Sequence, residues 1–199
     1  MEVRCRALGP LQANCYIVDR HLMIDPGDDV YGLDDFIRAE GAEITEVAIT
    51  HRHYDHMLGA AHMQKRGAKL LISRADAPAL ESAEEAIVPW DYMDHFTPCR
   101  ADGFLEEGET TLAGMPFEIL FTPGHSEGGV CLYSADVKLL FTGDTLFRYG
   151  FGRTDFIGGN MRALIDSIKR LFTLPPDVYV WPGHGEGGTL GDIMRSYHR

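Results

Sequence analysis

One short segment constrains the fold and the chemistry of this chain more than any other. Residues 50–56 read Thr-His-Arg-His-Tyr-Asp-His, which places four candidate ligands within six positions: His51, His53, Asp55 and His56. Neutral imidazole and carboxylate are the usual ligands of zinc and related divalent metals. His51 and His53 are alternate residues that point the same way from an extended backbone, so a turn must bring in the other two. The spacing therefore predicts two neighbouring metals, one bound by each pair.

The residues on either side place this segment between a strand and a helix. Residues 46–50 read as a short buried strand with β-branched residues at three positions, and residues 57–66 read as a helix. In α/β proteins, functional groups lie where strands end and loops begin. We therefore predict a functional site in this loop rather than a solvated polar turn.

Three further candidate ligands share a pattern in which an apolar, strand-like run leads into a short turn that contains glycine. The runs cover residues 117–121, 137–141 and 178–181, and the candidates are His125, Asp144 and His184. Glycine permits the positive φ and the close backbone approach that such turns need. The recurrence favours one shared metal site over three unrelated turns. The other histidines have no partner at ligand spacing and are predicted to be surface or hydrogen-bonded residues: His21, His62, His95 and His198.

The sequence predicts an α/β fold in which strands and helices follow one another along the chain. We predict strands at residues 3–8, 14–19, 21–25, 69–73 and 130–133, and helices at residues 33–40 and 161–172. Asn160 is the predicted N-cap of the last helix. The chain has 199 residues, 45% of them hydrophobic, so residues 1–199 are predicted to form a single domain. Residues 81–109 are predicted to be a packed surface loop, with a lid or an oligomer contact as alternatives.

The composition restricts the partners of the protein. A formal net charge of −12 and a pI near 5.1 give a surface that repels nucleic acids and anionic membranes. No apolar run approaches the roughly twenty residues of a membrane span, and the first residues do not resemble a signal peptide. We therefore expect a cytoplasmic protein that acts on a small molecule and binds neither nucleic acid nor membrane. The sequence leaves open whether it is a monomer or a dimer.

These motifs resemble those of the metallo-β-lactamase-fold superfamily over nearly the whole chain, from residues 14–18 and 24–27 to residues 183–185. The resemblance implies an αββα sandwich of two mixed β-sheets with helices on both outer faces. It also implies that one metal is held by His51, His53 and His125, that the other is held by Asp55, His56 and His184, and that Asp144 bridges them. It further implies that Asp25 orients a ligand histidine, although Asp-Pro-Gly at residues 25–27 reads equally well as a turn.

Departures from the family pattern indicate which branch this chain resembles. True β-lactamases of this fold carry cysteine, serine or histidine in place of Asp144, iron–flavin oxygen reductases carry glutamate in place of His53, and the nucleases add domains or long arms. Residues 144–155 are instead similar to the glyoxalase II (hydroxyacylglutathione hydrolase) group and its short bacterial relatives. This implies hydrolysis of a thioester, S-D-lactoylglutathione or a similar hydroxyacyl-thiol, by attack of a metal-bridging hydroxide. Asp55 and Asp144 are the implied catalytic residues, and two divalent metal ions are the implied cofactors, zinc in preference to iron or manganese.

The same resemblance implies that Phe151, Gly152 and Arg153 bind substrate, since a lysine that contacts the glutathione carboxylate stands at the position of Arg153 in the long enzymes. An Arg153–Asp155 ion pair that pins this loop is an equal alternative. The long enzymes carry a C-terminal helical domain for which the residues after His184 are too few, so glutathione specificity is open. The alternative functions are a mononuclear-iron persulfide dioxygenase and a lactone or phosphodiester hydrolase.

Overall fold

The computed structural model describes residues 1–197 and places the strands in two six-stranded sheets. The first sheet contains, in spatial order, β1 (Val3–Leu8), β2 (Ala13–Val18), β3 (Leu22–Ile24), β4 (Glu46–Ala48), β5 (Lys69–Ile72) and β6 (Gly103–Phe104). Strands β1, β2 and β3 pair antiparallel, whereas β3, β4, β5 and β6 pair parallel. The parallel half therefore directs the carboxyl ends of its strands to one edge of the sheet.

The second sheet is also mixed. It contains β7 (Gly108–Leu112), β8 (Met115–Phe121), β9 (Val130–Ser134), β10 (Leu139–Gly143), β11 (Tyr179–Pro182) and β12 (Gly188–Thr189). Its neighbouring strands pair antiparallel except β10 and β11, which pair parallel. The strands β10 and β11 therefore both point toward the same edge, where the next residues of each strand meet.

The helices are α1 (Val30–Glu40), α2 (Tyr54–Met57), α3 (Ala60–Lys65), α4 (Met161–Leu171) and α5 (Leu190–Tyr197). Asp29 caps α1 by accepting a hydrogen bond from the Gly32 N–H, and the predicted cap Asn160 accepts one from the Ala163 N–H. Helix α1 ends at Gly41, whose φ of +57° suits a residue without a Cβ. Within residues 1–197, no helix combines the length and the apolar character that crossing a bilayer would require.

Successive side chains of a strand point to opposite faces of its sheet, and the core is therefore divided into three layers. In β2, Ile17 packs in the cluster that contains the buried residues of α1, α2 and α3, whereas Tyr16 packs in the cluster between the sheets. In β9, Leu132 belongs to the cluster between the sheets, whereas Cys131 packs with α4 and α5. The resulting order of helix, sheet, sheet and helix confirms the αββα sandwich of two mixed sheets.

Several elements differ from the sequence prediction. The predicted helix at residues 57–66 is divided into α2 and α3, and the break lies at Gly59, where an added Cβ would lie 2.6 Å from the Pro26 carbonyl oxygen. Helix α1 begins at Val30 rather than at Leu33, because Asp29 serves as its N-cap. The sequence prediction lacks α5, β6, β7 and β12. Strands β6 and β12 contain two residues each, which is too short for a recognisable alternation.

Candidate metal centre

The segments that carry the predicted ligands follow strands of both sheets. His51 comes after β4 of the first sheet, and the ligands after β8, β10 and β11 of the second sheet are His125, Asp144 and His184. The remaining candidates, His53, Asp55 and His56, lie at the beginning of α2. Five of these seven side chains are buried, and Asp144 and His184 are partly buried. The structure thus brings together residues that are far apart in the sequence.

Three groups of three side chains each bring their ligand atoms within 4.8 Å of one another, and two of these groups consist entirely of predicted ligands. The first triad is His51, His53 and His125, and it places His53 Nδ1 2.7 Å from His125 Nε2. The second triad is Asp55, His56 and His184. Here His184 Nε2 lies 3.2 Å from His56 Nε2 and 3.3 Å from Asp55 Oδ2. These are the two groups that the family resemblance implies.

The carboxylate of Asp144 lies between the two triads. Its Oδ2 atom is 3.4 Å from His125 Nε2 of the first triad and 3.5 Å from His184 Nε2 of the second. Its Oδ1 atom is 3.4 Å from His56 Nε2 and is buried without a hydrogen-bond partner in the part of the chain that is described. One side chain therefore reaches ligands of both triads, as a bridging carboxylate must.

Hydrogen bonds on the far side of the imidazole rings fix which nitrogen faces the centre. His56 Nδ1 lies 3.0 Å from Asp25 Oδ2, and His125 Nδ1 lies 2.7 Å from the Arg153 carbonyl oxygen. These acceptors require the proton on Nδ1, which leaves the Nε2 lone pair directed inward. His51 Nε2 is buried without a hydrogen-bond partner within residues 1–197. Converging lone pairs together with carboxylates form a donor set that fits divalent metal ions.

The pKa values of the site follow from burial and from neighbouring charges. Burial lowers the pKa of His51 well below its ordinary value and lowers that of His53 to about 3, and repulsion from neighbouring histidines adds to both effects. Burial also lowers the pKa of His56, but the carboxylates of Asp55 and Asp144 outweigh it and raise this pKa to about 10. Carboxylates that attract a proton so strongly also attract a divalent cation.

Asp25 connects the ligand loop to the second triad. Its carboxylate accepts hydrogen bonds from the Thr50 N–H and from the Thr50 hydroxyl, both at 2.7 Å, and also lies 3.0 Å from His56 Nδ1. The φ of Asp25 is +53°, a left-handed conformation that costs a non-glycine residue on the order of 1 kcal/mol. Asp25 is therefore both a turn residue, as its backbone conformation shows, and a residue that orients a predicted ligand, because its carboxylate faces His56.

Asp76 joins two ligand loops, and the sequence analysis missed it. Its buried carboxylate accepts a hydrogen bond from the N–H of Arg52, which lies between two predicted ligands, at 3.0 Å. It also accepts hydrogen bonds from the Ser126 hydroxyl at 2.7 Å and the Gly128 N–H at 2.9 Å, beside His125. The available signal was its position after β5, at the same strand ends as the ligand segments, although no glycine-containing turn marks it.

An Asp76→Asn variant is expected to bind metal about 10- to 100-fold more weakly, because an amide nitrogen would face one of the three donors and displace a ligand loop. Titration of the metal-loaded protein with a chromophoric chelator measures this change. Asp102→Asn is the matched control, since Asp102 also accepts a backbone N–H, that of Leu70 at 2.9 Å, in a loop that carries no predicted ligand. An equal loss of affinity in both variants would contradict the proposed role of Asp76.

The beginning of β2 holds the loop of the last ligand. Asn14 Nδ2 donates hydrogen bonds to the carbonyl oxygens of Pro182 and Gly185, both at 2.9 Å. His184 Nδ1 lies 3.1 Å from the carbonyl oxygen of Leu11, which directs His184 Nε2 toward the second triad. The orientation of the last ligand therefore depends on the turn between β1 and β2.

The remaining histidines lie in other surroundings. His62 Nε2 is 2.8 Å from Asp34 Oδ1, and His21 Nδ1 is 2.9 Å from the Glu43 carbonyl oxygen. His198 lies outside the described residues. The hydrogen bonds of His21 and His62 agree with the sequence prediction for these two residues.

A cavity of about 740 Å³ opens beside both triads. Arg153 lines this cavity, and its guanidinium makes two hydrogen bonds to the Asp155 carboxylate, at 2.7 and 2.6 Å. Gly152 lies against the centre itself, because an added Cβ would be 2.0 Å from the Asp144 carbonyl oxygen. Phe151 is not among the residues of the described chain that line the cavity. Of the three predicted substrate-binding residues, the structure thus places Arg153 at the cavity wall, in the ion pair that was its alternative interpretation.

The sequence of this chain matches a known protein family and is similar to curated proteins along most of its length. A family model described as the metallo-beta-lactamase superfamily matches residues 8–184. Among curated relatives, "Hydroxyacylglutathione hydrolase GloC" of Haemophilus influenzae is 34% identical, over 98% of this chain and 96% of the relative. "Probable metallo-hydrolase YqgX" of Bacillus subtilis is also 34% identical, over 93% of this chain and 90% of the relative.

Solved structures show the same similarity. The structure of "BLEG-1 B3 metallo-beta-lactamase" has a TM-score of 0.90 and 30% identity, and the match covers 98% of this chain and 97% of that chain. The structure of "TTHA1623 in a di-iron-bound form" has a TM-score of 0.87 and 36% identity, over 97% of this chain and 98% of that chain. The similarity therefore extends over both sheets and over the segments that carry the ligand triads.

Proposed function

This chain belongs to the metallo-β-lactamase superfamily, and we propose that it hydrolyses thioesters at a two-metal centre, with S-D-lactoylglutathione or a similar hydroxyacyl-thiol as substrate. The family and the clustered ligands make it a metal-dependent hydrolase, so the proposal concerns the substrate and the number of metals. The observation that carries it is the pair of triads joined by Asp144. Similarity to a hydroxyacylglutathione hydrolase over nearly the full length of both chains supports the thioester class.

In this proposal, each triad would hold one divalent metal ion, with the carboxylate of Asp144 as a further ligand. Two such ions, when bound, supply an acidified water near neutral pH and polarise a substrate carbonyl. The surrounding protein keeps the ligand imidazoles in place through Asp25, the Arg153 carbonyl oxygen and the Leu11 carbonyl oxygen. Zinc is the proposed metal, and the same donors accept iron or manganese. The di-iron form of TTHA1623 supports iron as the first alternative.

The groups that line the cavity agree with a thiolate leaving group. A thiol has a pKa of about 8.5, so its thiolate can depart without a strong general acid, whereas an alkoxide is more basic and needs a proton. Within residues 1–197, the carboxyl groups that line the cavity are those of Asp55 and Asp144, both predicted ligands, and of the exposed Glu84. Burial raises the pKa of Tyr54 to about 12, which makes it a weak acid. This composition favours a thioester over a lactone.

Hydrolysis of S-D-lactoylglutathione by the purified protein tests the proposal, with metal content measured on the same sample. We expect turnover by protein that holds two metals per chain, and roughly a thousandfold lower turnover by His53→Ala, which removes a ligand of the first triad. One iron per chain together with oxygen uptake on a persulfide substrate would favour the dioxygenase alternative. No hydrolysis by a two-metal sample would contradict a glutathione thioester and lead to tests of lactones and phosphodiesters.

Hydrolysis of β-lactams is a second candidate, because the structure of BLEG-1, which is similar over 98% of this chain, is described as a B3 metallo-beta-lactamase. The carboxylate of Asp144 argues against it, since true β-lactamases of this fold carry a different residue there. A chromogenic cephalosporin added to the same two-metal sample measures this activity. We expect a lower kcat/KM for the cephalosporin than for the thioester, and the opposite order would favour the second candidate.

A further inference from the structure

Part of the cavity beside the triads is lined by apolar side chains that belong to none of the predicted ligands. Ala83, Ile87, Val88 and Pro89 form this apolar wall, and all four line the cavity. The cavity volume of about 740 Å³ lies within the roughly 300–1,000 Å³ typical of small-molecule sites. Attack on a thioester involves only the carbonyl group at the triads. The apolar wall is therefore available to contact another part of the substrate.

The backbone of this segment is anchored, while Ile87 remains at the cavity surface. The neighbouring Ala86 is fully buried, and its carbonyl oxygen accepts a hydrogen bond at 3.1 Å from the N–H of Tyr54, where α2 begins. Ile87 has a φ of +56°, which β-branched residues rarely adopt and glycine adopts freely. Residues held in such conformations cluster at ligand sites, which makes Ile87 a candidate for contact with the substrate.

The basic side chain at the cavity wall, Arg153, is already paired with a carboxylate. Within residues 1–197, Arg153 is the only lysine or arginine that lines the cavity. Its guanidinium is bound to Asp155 through two hydrogen bonds and lies 3.9 Å from the centre of the Phe156 ring. Glu84, in the same segment as the apolar wall, adds a negative charge. Arg153 is thus already paired, whereas an alkyl chain would meet a complementary surface at the apolar wall.

We propose that the apolar wall binds an aliphatic arm of the substrate, so that thioesters with an uncharged chain of roughly four to eight carbons are preferred over thioesters whose chain has one or two carbons. The inference rests on the thioester hydrolysis proposed above and concerns the part of the substrate that the wall contacts. The arm belongs either to the acyl group or to the thiol, because an alkyl chain on either side of the thioester offers the same apolar surface to the wall. Ile87 is then a specificity-determining residue.

Two pairs of thioesters test the preference and identify the arm. The acyl arm is tested with S-hexanoyl- against S-acetyl-N-acetylcysteamine, and the thiol arm with S-hexyl against S-ethyl thioacetate. We expect kcat/KM to be at least about tenfold higher for the longer member of one pair, because each buried methylene adds to binding. If the thioesters are hydrolysed but the two members of each pair have nearly equal kcat/KM values, this inference is overturned and the proposed function is left intact.

The Ile87→Gly variant tests the residue itself. Glycine accepts the positive φ without strain, so the fold is expected to be retained, which thermal unfolding checks. We expect the ratio of kcat/KM between the longer and the shorter thioester of the discriminating pair to fall to about twofold or less. Ala113→Gly is the matched control, since Ala113 also has a positive φ, +46°, in the turn between β7 and β8. An unchanged ratio in Ile87→Gly, or an equal change in both variants, would contradict the assignment to Ile87.

Binding of a thioether separates this inference from the proposed function, because a thioether cannot be hydrolysed. Calorimetry compares S-hexylglutathione with S-methylglutathione on the metal-loaded wild type and on Ile87→Gly. We expect the hexyl compound to bind at least about tenfold more tightly to the wild type and to lose this advantage in the variant. That result in a protein that hydrolyses no thioester would overturn the proposed function alone. Equal affinities for the two thioethers would overturn the preference for an aliphatic arm.

Discussion

An Asp144→Ala variant is expected to lose at least about a thousandfold in kcat and to retain less than one metal ion per chain after dialysis. The physical reason is its position, since the two carboxylate oxygens lie 3.4 to 3.5 Å from ligand nitrogens of His56, His125 and His184. In the proposed two-metal centre, removal of this carboxylate would take a ligand from both metals and would leave less negative charge to offset the repulsion between them. Steady-state kinetics and elemental analysis of the same sample measure both effects.

Two controls separate a bridging role from a general loss of charge. His184→Ala removes a ligand from the second triad alone, so this variant is expected to retain the metal of the first triad. Asp136→Ala removes an exposed carboxylate in the turn between β9 and β10 and is expected to change neither metal content nor kcat. Two metals per chain in Asp144→Ala would contradict the bridging role.

A Gly183→Ala variant is expected to lower kcat/KM by at least about a hundredfold and to reduce stability by about 1–3 kcal/mol. A Cβ at this position would lie 2.1 Å from Asp144 Oδ1 and 2.9 Å from His56 Cε1. The backbone cannot move aside easily, because the Gly183 N–H donates to the Gly143 carbonyl oxygen and the Gly183 carbonyl oxygen accepts from Asn14, both at 2.7 Å. The methyl group is therefore expected to displace the carboxylate of Asp144. Activity, metal content and urea unfolding measure the result.

Gly188→Ala is the matched control for this substitution. Gly188 lies in β12, its φ is not in the left-handed region, and the nearest atoms to an added Cβ are those of Arg148 at 3.8 Å. This variant is expected to keep full metal content and activity. If Gly183→Ala behaves like Gly188→Ala, the close packing of Gly183 against Asp144 does not limit the site.

Much of the fold follows from local patterns that the sequence displays directly. The alternation in β2 separates Tyr16 from Ile17 and so indicates a strand with apolar contacts on both faces. The alternation does not say which face meets the second sheet, because that depends on pairings between distant strands. The assignment of the αββα order came from the family resemblance, and the structure confirms it.

In the site as well, residues that belong to short local motifs were predicted, whereas residues that act through distant contacts were not. The order strand, turn and ligand singled out His125, Asp144 and His184, since that order is visible within a few residues. It gave no sign of Asp76, which acts through hydrogen bonds to Ser126 and Gly128, about 50 positions away. The apolar wall was hidden for a related reason: residues 83–89 have no regular period, and contacts with distant residues, such as the hydrogen bond between Ala86 and Tyr54, bring them to the cavity.

The contact between Asn14 and the loop of the last ligand has a consequence for how the centre is assembled. The residues that it joins, Asn14 and Pro182, are 168 positions apart. During synthesis on the ribosome, the chain already displays residues 51–56 long before His184 has emerged, so the second triad is completed late. Long-range contacts of this kind form slowly, because a large loop must close before they stabilise the chain. In the proposed two-metal centre, metal binding by the second triad would therefore belong to a late stage of folding, after the N-terminal hairpin has docked against the last strands.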